Sequence, residues 1–284
     1  MRSEFHFTLL NVGYIEPNEE WNWQNVYSPF ARMYYIVDGN ARVIIEGKTY
    51  ELQPRKLYLI PPFTLHHNEC DGLFHHYYIH FYEKTNRKES IFDRYTFPLE
   101  IDATGLNLRL VERLLSINPE RYLKNIDPQE YDNPHTISHY IADNTRLPLH
   151  TLVETQGILS QLVSSFFRDA AVKTNDKDPR VVKCLQYIHE NIDRDITVEK
   201  LANIACVSDD HFIRIFKANV NHTPLQYINL KKIEYIQLQL ISTDASIQDI
   251  AYRLSIDNIS YFNRLFKQHT GVTPGEYRKR HKNG

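Results

Sequence analysis

Ser246-Ile247-Gln248-Asp249-Ile250-Ala251-Tyr252, then Ser260-Tyr261-Phe262-Asn263-Arg264-Leu265-Phe266-Lys267, then Gly271-Val272-Thr273-Pro274-Gly275-Glu276-Tyr277-Arg278: the reading of this chain turns on that stretch. It has a counterpart upstream in Thr197-Val198, Leu201-Ala202, Ser208, Phe212-Ile213-Arg214-Ile215-Phe216-Lys217, Thr223-Pro224 and Tyr227. From Phe212 onward the copies are offset by 50 residues, and before the turn, from Thr197 to Ser246, by 49, so the second turn is one residue longer. A short helix, a tight turn and a second amphipathic helix, occurring twice, make two helix-turn-helix modules. Two such modules imply double-stranded DNA as partner.

Bulk composition agrees without deciding the matter. With 284 residues, 42% of them hydrophobic, the chain can bury a sizeable core, and its length suggests two domains. The net charge of −2 does not by itself suggest nucleic acid. Residues 178–284, however, carry 15 Lys and Arg against 12 Asp and Glu, a balance of +3, whereas residues 1–177 carry 18 against 23, or −5. That asymmetry puts phosphate affinity in the C-terminal part. Cys70, Cys184 and Cys206 are isolated, with no CxxC spacing, which fits a reducing cytosol. No apolar run approaches a membrane span, so the expectation is a cytoplasmic protein with no membrane partner.

Cap chemistry marks the helices. Thr197 and Ser208 stand as N-caps of the first module's two helices. Ser246-x-x-Asp249 and Thr273-x-x-Glu276 are capping boxes. Thr223-Pro224 supplies a cap followed by Pro at the first helical position, opening a helix to about residue 242. A helix of about 20 residues is roughly 30 Å long, close to the roughly 34 Å between successive major grooves on one face of DNA. One chain can therefore offer a recognition helix to each of two adjacent turns.

These residues resemble the AraC/XylS family of bacterial transcription regulators over 180–280, nearly end to end. Three positions depart from the family pattern: Ser255 and Asn221 stand where Gly is usual, and Lys231 or Lys232 where the connecting helix usually has Arg. The resemblance implies groove-facing residues at Asp210, Ile213 and Arg214 in the first recognition helix, with Lys217 near phosphate. In the second it implies Asn258, Ser260, Tyr261, Asn263 and Arg264, with Lys267 near phosphate. Arg214 and Arg264 suit bidentate bonds to guanine and Asn263 suits adenine. Asp210 would repel phosphate and accept only from a cytosine amine. The alternative for each Arg is a solvated or phosphate-pairing surface residue. Phe212, Phe216, Phe262 and Phe266 read as core.

Residues 5–83 read as strands. Residues 42–52 form two extended runs around a Gly-containing turn, Lys56 to Ile60 is a run stopped by Pro61-Pro62, and His75 to Tyr82 alternates so that His76, Tyr78 and His80 share a face. Asp38-Gly39, Leu52-Gln53-Pro54-Arg55, Ile60-Pro61-Pro62 and His66 resemble the cupin-type effector domain that precedes the DNA-binding unit in this family. Metal-binding cupins use His-x-His, a Glu and a later His. Here those positions fall near Val26, Ser28 and Arg32, and only His66 remains, so no metal or other cofactor is expected and a cupin enzyme is the weaker alternative. No Ser nucleophile motif, phosphate-cradling Gly loop or Cys set beside a His base points to an enzyme. Adjacent His66-His67 and His75-His76 point to opposite faces and cannot chelate one ion.

Trp21, Trp23, Arg32, Tyr34, His66, His76, Tyr78 and His80 mix aromatic faces with donors and acceptors, as sites for small polar ligands do. Trp23, Arg32, Tyr34, His66, Tyr78 and His80 are the candidate contacts to a small-molecule effector, most simply a sugar. The competing reading makes them wall residues of a ligand-blind regulator. From about 104 the pattern turns helical, with one apolar stripe at Leu106, Leu110, Leu114 and Leu115. A second, at Leu152, Leu159, Leu162, Val163, Phe166 and Phe167, is a candidate homodimer face. Lys173 to Pro179 reads as a linker. The expected organisation is α+β: a cupin-like β-barrel over 1–103, a helical dimerisation segment and linker over 104–177, and an all-α domain with two helix-turn-helix modules over 178–284. The partners expected are DNA, a small metabolite, a second copy and, for an activator, RNA polymerase.

Overall fold

A computed structural model describes residues 6–16, 21–84, 90–132, 134–174, 176–243 and 245–279. Six strands come first: β1 (Phe7–Ile15), β2 (Trp23–Val26), β3 (Ala31–Ile45), β4 (Lys48–Leu52), β5 (Lys56–Ile60) and β6 (His66–Glu83). Then follow α1 (Ile91–Arg94), β7 (Tyr95–Thr96), β8 (Glu100–Asp102), α2 (Gly105–Ile117), α3 (Pro128–Tyr131), α4 (Pro134–Arg146), α5 (Leu149–Phe167) and β9 (Ala171–Val172). The remainder is helical: α6 (Pro179–Glu190), α7 (Val198–Ala205), α8 (Asp209–Val220), α9 (Pro224–Ser242), α10 (Ile247–Arg253), α11 (Ile259–Thr270) and α12 (Pro274–Lys279). None of the described helices is long and apolar enough to cross a membrane.

The chain divides into two compact units, not three segments. One joins Met1–Lys84 to Tyr95–Ala171, and the other joins Thr85–Arg94 to Val172–Gly284. The helices α2 to α5 thus belong with the strands, while α1 and the residues expected as linker belong with the C-terminal helices. Of that linker, Asn175 lies outside the described residues. Lys177 Nζ donates to the Asn219 carbonyl at 2.8 Å, and Asn219 Oδ1 accepts from the Asp178 amide at 2.9 Å.

The first unit is built on the long strands β3 and β6. The Ala31–Tyr35 half of β3 lies between β5 and the C-terminal half of β6, and its Ala41–Ile45 half between β4 and the N-terminal half of β6. The register breaks between these halves, where Gly39 has φ +94°. A Cβ at Gly39 would stand 2.0 Å from the Leu73 carbonyl oxygen, so the bend accepts only glycine. The expected hairpin is present, with Ile45 opposite Lys48.

A closed barrel is not what the ladder forms. Among the described residues the sheet runs β1-β6-β3-β5-β8, with β2 on β6 and β4 on β3, and no bonds join β1 to β8. Helical segments finish the β1 edge instead. A bulge between Leu9 and Asn11 turns the Leu9 carbonyl out of the ladder, where it accepts from Arg121 at 2.5 Å and Asn144 at 2.9 Å.

The first apolar stripe is also corrected. In α2 the buried face is Asn107, Val111 and Leu114, while Leu106 is 59% exposed. Leu159, Leu162, Val163 and Phe166 of α5 are buried within the first unit, so these four residues pack in an intramolecular core, while Leu152 and Phe167 are half-buried.

In the second unit each module has its own core. Val181, Cys184, Leu185, Ile188, Leu201, Phe212, Phe216 and Ile228 form the first, and Ile233, Ile236, Leu240, Ile250, Phe262, Leu265 and Phe266 the second. α9 contributes its first half to one and its second half to the other, so its apolar residues fall on more than one face. Two polar struts tie the modules. Lys232 Nζ donates to the Leu254 carbonyl at 2.7 Å and to the Arg194 carbonyl at 3.3 Å, and Ser255 Oγ donates to the Asp193 carbonyl at 2.7 Å.

Candidate nucleic-acid interface and polar interior of the sheet unit

The repeat in sequence is a repeat in backbone. Cys206 and Ser255, 49 residues apart, both adopt left-handed φ (55° and 52°), as do Asn221 and Gly271, 50 apart, at 62° and 78°. The positions where this chain replaces the usual glycines are therefore ones whose geometry favours glycine. Thr197, Thr223 and Ser246 cap as their sequence context predicts, and so does Thr273, whose hydroxyl accepts from the Glu276 amide at 3.1 Å. Ser208 occupies the N-cap of α8 without making a side-chain cap bond.

The anchored faces decide what the helices show to solvent. Phe212 and Phe216 are fully buried, so the opposite face of α8 carries Asp210, Arg214 and Lys217, all exposed, with Ile213 half-buried at its margin. α11 repeats this: Phe262 and Phe266 are buried, Ser260, Tyr261, Arg264 and Lys267 are exposed, and Asn263 is half-buried. Arg264 lies over the Tyr261 ring, 5.7 Å from its centre. Asn258 differs from the expectation of a free groove contact: it is the N-cap of α11, and its Oδ1 accepts from the Tyr261 amide at 2.9 Å. The exposed Tyr252 of α10 (76%) was not singled out from sequence, where a lone aromatic carries no pattern.

α9 also carries a half-buried ion cluster. Lys231 Nζ contacts Asp93 Oδ1 at 2.5 Å and Glu234 Oε2 at 2.7 Å. Burial alone would raise the Asp93 carboxyl, but Lys231, His189 and Lys173 hold it below its ordinary value. Lys173 Nζ donates to the Phe92 carbonyl at 2.7 Å, so α1 is fixed in the second unit through both side chain and backbone.

The candidate effector residues of the first unit converge. Arg32 pairs with His80 and Tyr34 with Tyr78 across β3 and β6, which puts all four side chains on one face. Arg32, Tyr34, His66, His76, Tyr78 and His80 are each at most 3% exposed, and Trp21 packs against Tyr34, Phe74 and His76. Trp23, on β2, is half-buried. Two partners were invisible in the sequence. Tyr131 of α3 accepts from Arg32 Nη1 at 2.6 Å, and Asp132 forms an ion pair with Arg32 Nη2 at 3.0 Å. Ser28 bonds to both Arg32 and Asp132. Nothing local marks a one-turn helix a hundred residues away as the counterion. The available signal was the arginine itself, because a buried guanidinium demands an anion.

The electrostatics are those of one fixed cation among neutral rings. Burial would lower Arg32, but Tyr131, Tyr34 and Asp132 hold it charged. Burial, and then Arg32, push His66 down to about 3, and burial alone takes His76 to about 3. His80 is lowered well below its ordinary value by burial and then Arg32. Burial lifts the Asp132 carboxyl to about 6, and Arg32 and Ser28 limit the rise. A permanent cation at Arg32 opposes a metal ion in this interior.

Comparisons with known proteins bear on the second unit. A helix-turn-helix domain family matches residues 201–280. The bifunctional transcriptional activator/DNA repair enzyme AdaA of Bacillus subtilis is 37% identical over 109 residues, covering 37% of this chain and 52% of its own. A Streptomyces lividans protein described as an AraC-like transcription regulator is 35% identical over 102 residues, covering 36% of this chain and 34% of its own. This chain thus spans a third to a half of the length of these relatives. The crystal structure of ToxT from Vibrio cholerae O395 aligns over 98% of this chain and 99% of its own, at 15% identity and a TM-score of 0.47.

Proposed function

We propose that this chain is, through its C-terminal domain, a member of the AraC/XylS family of transcription regulators: a sequence-specific DNA-binding regulator whose sheet unit holds a small polar effector. The observation that carries the DNA-binding reading is the matched pair of exposed faces, Asp210–Arg214–Lys217 and Ser260–Arg264–Lys267, each backed by two buried phenylalanines. On this reading Arg214 and Arg264 read guanine, Asn263 reads adenine, and Lys217 and Lys267 neutralise phosphate. Asn258 contributes by capping α11, its Oδ1 being taken up by the Tyr261 amide. The protein acts in the cytoplasm on duplex DNA and is not an enzyme. A homodimer would use a face other than Leu159, Leu162, Val163 and Phe166. RNA polymerase is a partner if the output is activation.

The effector reading is supported by the polar residues gathered inside the sheet unit, a mixture suited to a hydroxylated ligand such as a sugar. The experiment is binding of the full chain to duplex DNA with and without neutral sugars, uronic acids and other small metabolites. One ligand class should change affinity about 5- to 150-fold, a coupling of about 1–3 kcal/mol. Invariance across the panel favours the ligand-blind alternative. Equal affinity for all duplex sequences removes the regulator itself.

A further inference from the structure

Buried polar atoms without partners are rare in folded proteins, and a concentration of them needs a reason. In the sheet unit, Arg32 Nε, His66 Nε2, both ring nitrogens of His76, His80 Nδ1, Trp23 Nε1 and Asn68 Oδ1 are buried with no hydrogen-bond partner among the described residues. Their positions are linked by the ladder: Arg32 faces His80, Ile36 faces His76, Ile45 faces His66, and Trp23 faces Asn68. Arg32, His66 and His76 all lie close enough to His80 to bias it electrostatically. The face therefore offers one cation together with several unused donors and acceptors.

The guanidinium does have an anion, and its source matters. Asp132 follows the four-residue helix α3, and its carboxylate takes a bond from Arg32 Nη2 at 3.0 Å and another from Ser28 Oγ. Tyr131, beside it, stacks on His80 with ring centres 5.4 Å apart. Strands fix Arg32 and the histidines, whereas a single helical turn carries Asp132 and Tyr131.

We infer that this interior is a site for a small hydroxylated carboxylate, a sugar acid in class, and that Asp132 holds the position its carboxylate takes. The inference rests on the reading of the sheet unit as an effector site. One arginine balances one carboxylate in bidentate geometry. A phosphate would carry more charge than the site neutralises, because the histidines beside Arg32 are uncharged. Those rings and the Trp23 indole instead suit hydroxyl groups, to which a neutral imidazole can donate from one nitrogen and accept at the other. Entry of the ligand displaces the Tyr131–Asp132 turn, so the protein's own side chain competes with its effector.

The test uses the full chain, its Asp132→Ala variant and the Asp132→Ala/Arg32→Gln double variant, with sodium acetate, glucuronate and glucose as probes. Acetate should raise the thermal midpoint of Asp132→Ala by several degrees beyond sodium chloride at equal ionic strength, and the double variant should lose that response. Glucuronate should bind Asp132→Ala about tenfold tighter than the wild type, because removing an internal competitor restores the competent fraction, and glucose should gain nothing. Acetate acting no differently from chloride on Asp132→Ala overturns the inference. Glucose and glucuronate binding both chains alike also overturns it while leaving an effector site in place; the effector reading itself fails only if the metabolite panel leaves DNA binding unchanged. Should Asp132→Ala not fold, Asp132→Asn, which keeps a partner for Ser28, takes its place. Tighter glucuronate binding is then expected, and unchanged or weaker binding overturns the assignment.

Discussion

The Arg264 guanidinium stacks over Tyr261, one helical turn earlier, at 5.7 Å from the ring centre. In the equivalent place of the first module, Arg214 Nη2 stands 3.4 Å from His211 Nδ1. α8 and α11 thus each lean an exposed arginine on a ring residue three positions before it; on the proposed reading this limits the conformations the arginine gives up on reaching a base.

Arg264→Ala is expected to cost about 1–3 kcal/mol on the preferred duplex and to relax preference at one base pair. Tyr261→Ala should weaken binding less and leave the preference in place. Titration against the preferred site and its single-base variants checks both. A loss from Arg264→Ala that is equal on every sequence would assign it to phosphate.

Lys232 is buried, with its ammonium on the Leu254 and Arg194 carbonyls, and burial lowers its pKa. Lys232→Met keeps the stem and removes the donors, leaving two carbonyls short of a partner. We expect a loss of about 1–3 kcal/mol of stability and weaker binding to the full two-part site than to either half. Unchanged stability and unchanged two-part binding would mean the modules are held by α9 packing alone.

His66 and His76, at about 3 in the folded chain against an ordinary 6.5, bind protons in the unfolded chain first. Their contribution is present above pH 6.5 and lost as pH falls toward 3. Asp132, raised to about 6 from 3.8, acts oppositely: its contribution is full below 3.8 and fades as pH rises through 6. With His80 also depressed, the histidines prevail, and the sheet unit should lose stability on acidification from pH 6.5 to 4. His76→Phe puts an apolar ring where both nitrogens lack partners and Phe74 stacks at 4.4 Å. It should add roughly 1 kcal/mol at neutral pH and flatten the acid loss. An unaltered pH profile in urea unfolding would show that His76 is not a neutral buried ring.

Asn221 closes α8 at φ 62°, where the second module has Gly271. Asn221→Val should cost about 1–2 kcal/mol, since a β-branched residue resists left-handed backbone. Asn221→Gly should be neutral or stabilising. Equal midpoints for the Val and Gly variants would mean that the cap relaxes at no cost.

The helical half was legible because its signals are local and occur twice. Caps at Thr197, Thr223, Ser246 and Thr273 and the phenylalanine pairs each fix a boundary or a face within a few residues. In the sheet unit the hairpin at Glu46-Gly47 and the shared face of His76, Tyr78 and His80 were legible for the same reason. What was hidden depends on distant pairings. The open β1 edge is finished by Arg121 and Asn144, the Arg32 counterion comes from Asp132, and α1 joins the second unit through Lys173 and Lys231. The α5 stripe shows the same limit, because periodicity reports that a face is buried but not which partner buries it.

The most direct measurement is selection of duplexes from a random library by the full chain, repeated with Arg214→Ala and Arg264→Ala. Two submotifs about 10–10.5 base pairs apart are expected, with each substitution relaxing a different one. Selection that yields no motif, or a single motif insensitive to both substitutions, would contradict the account.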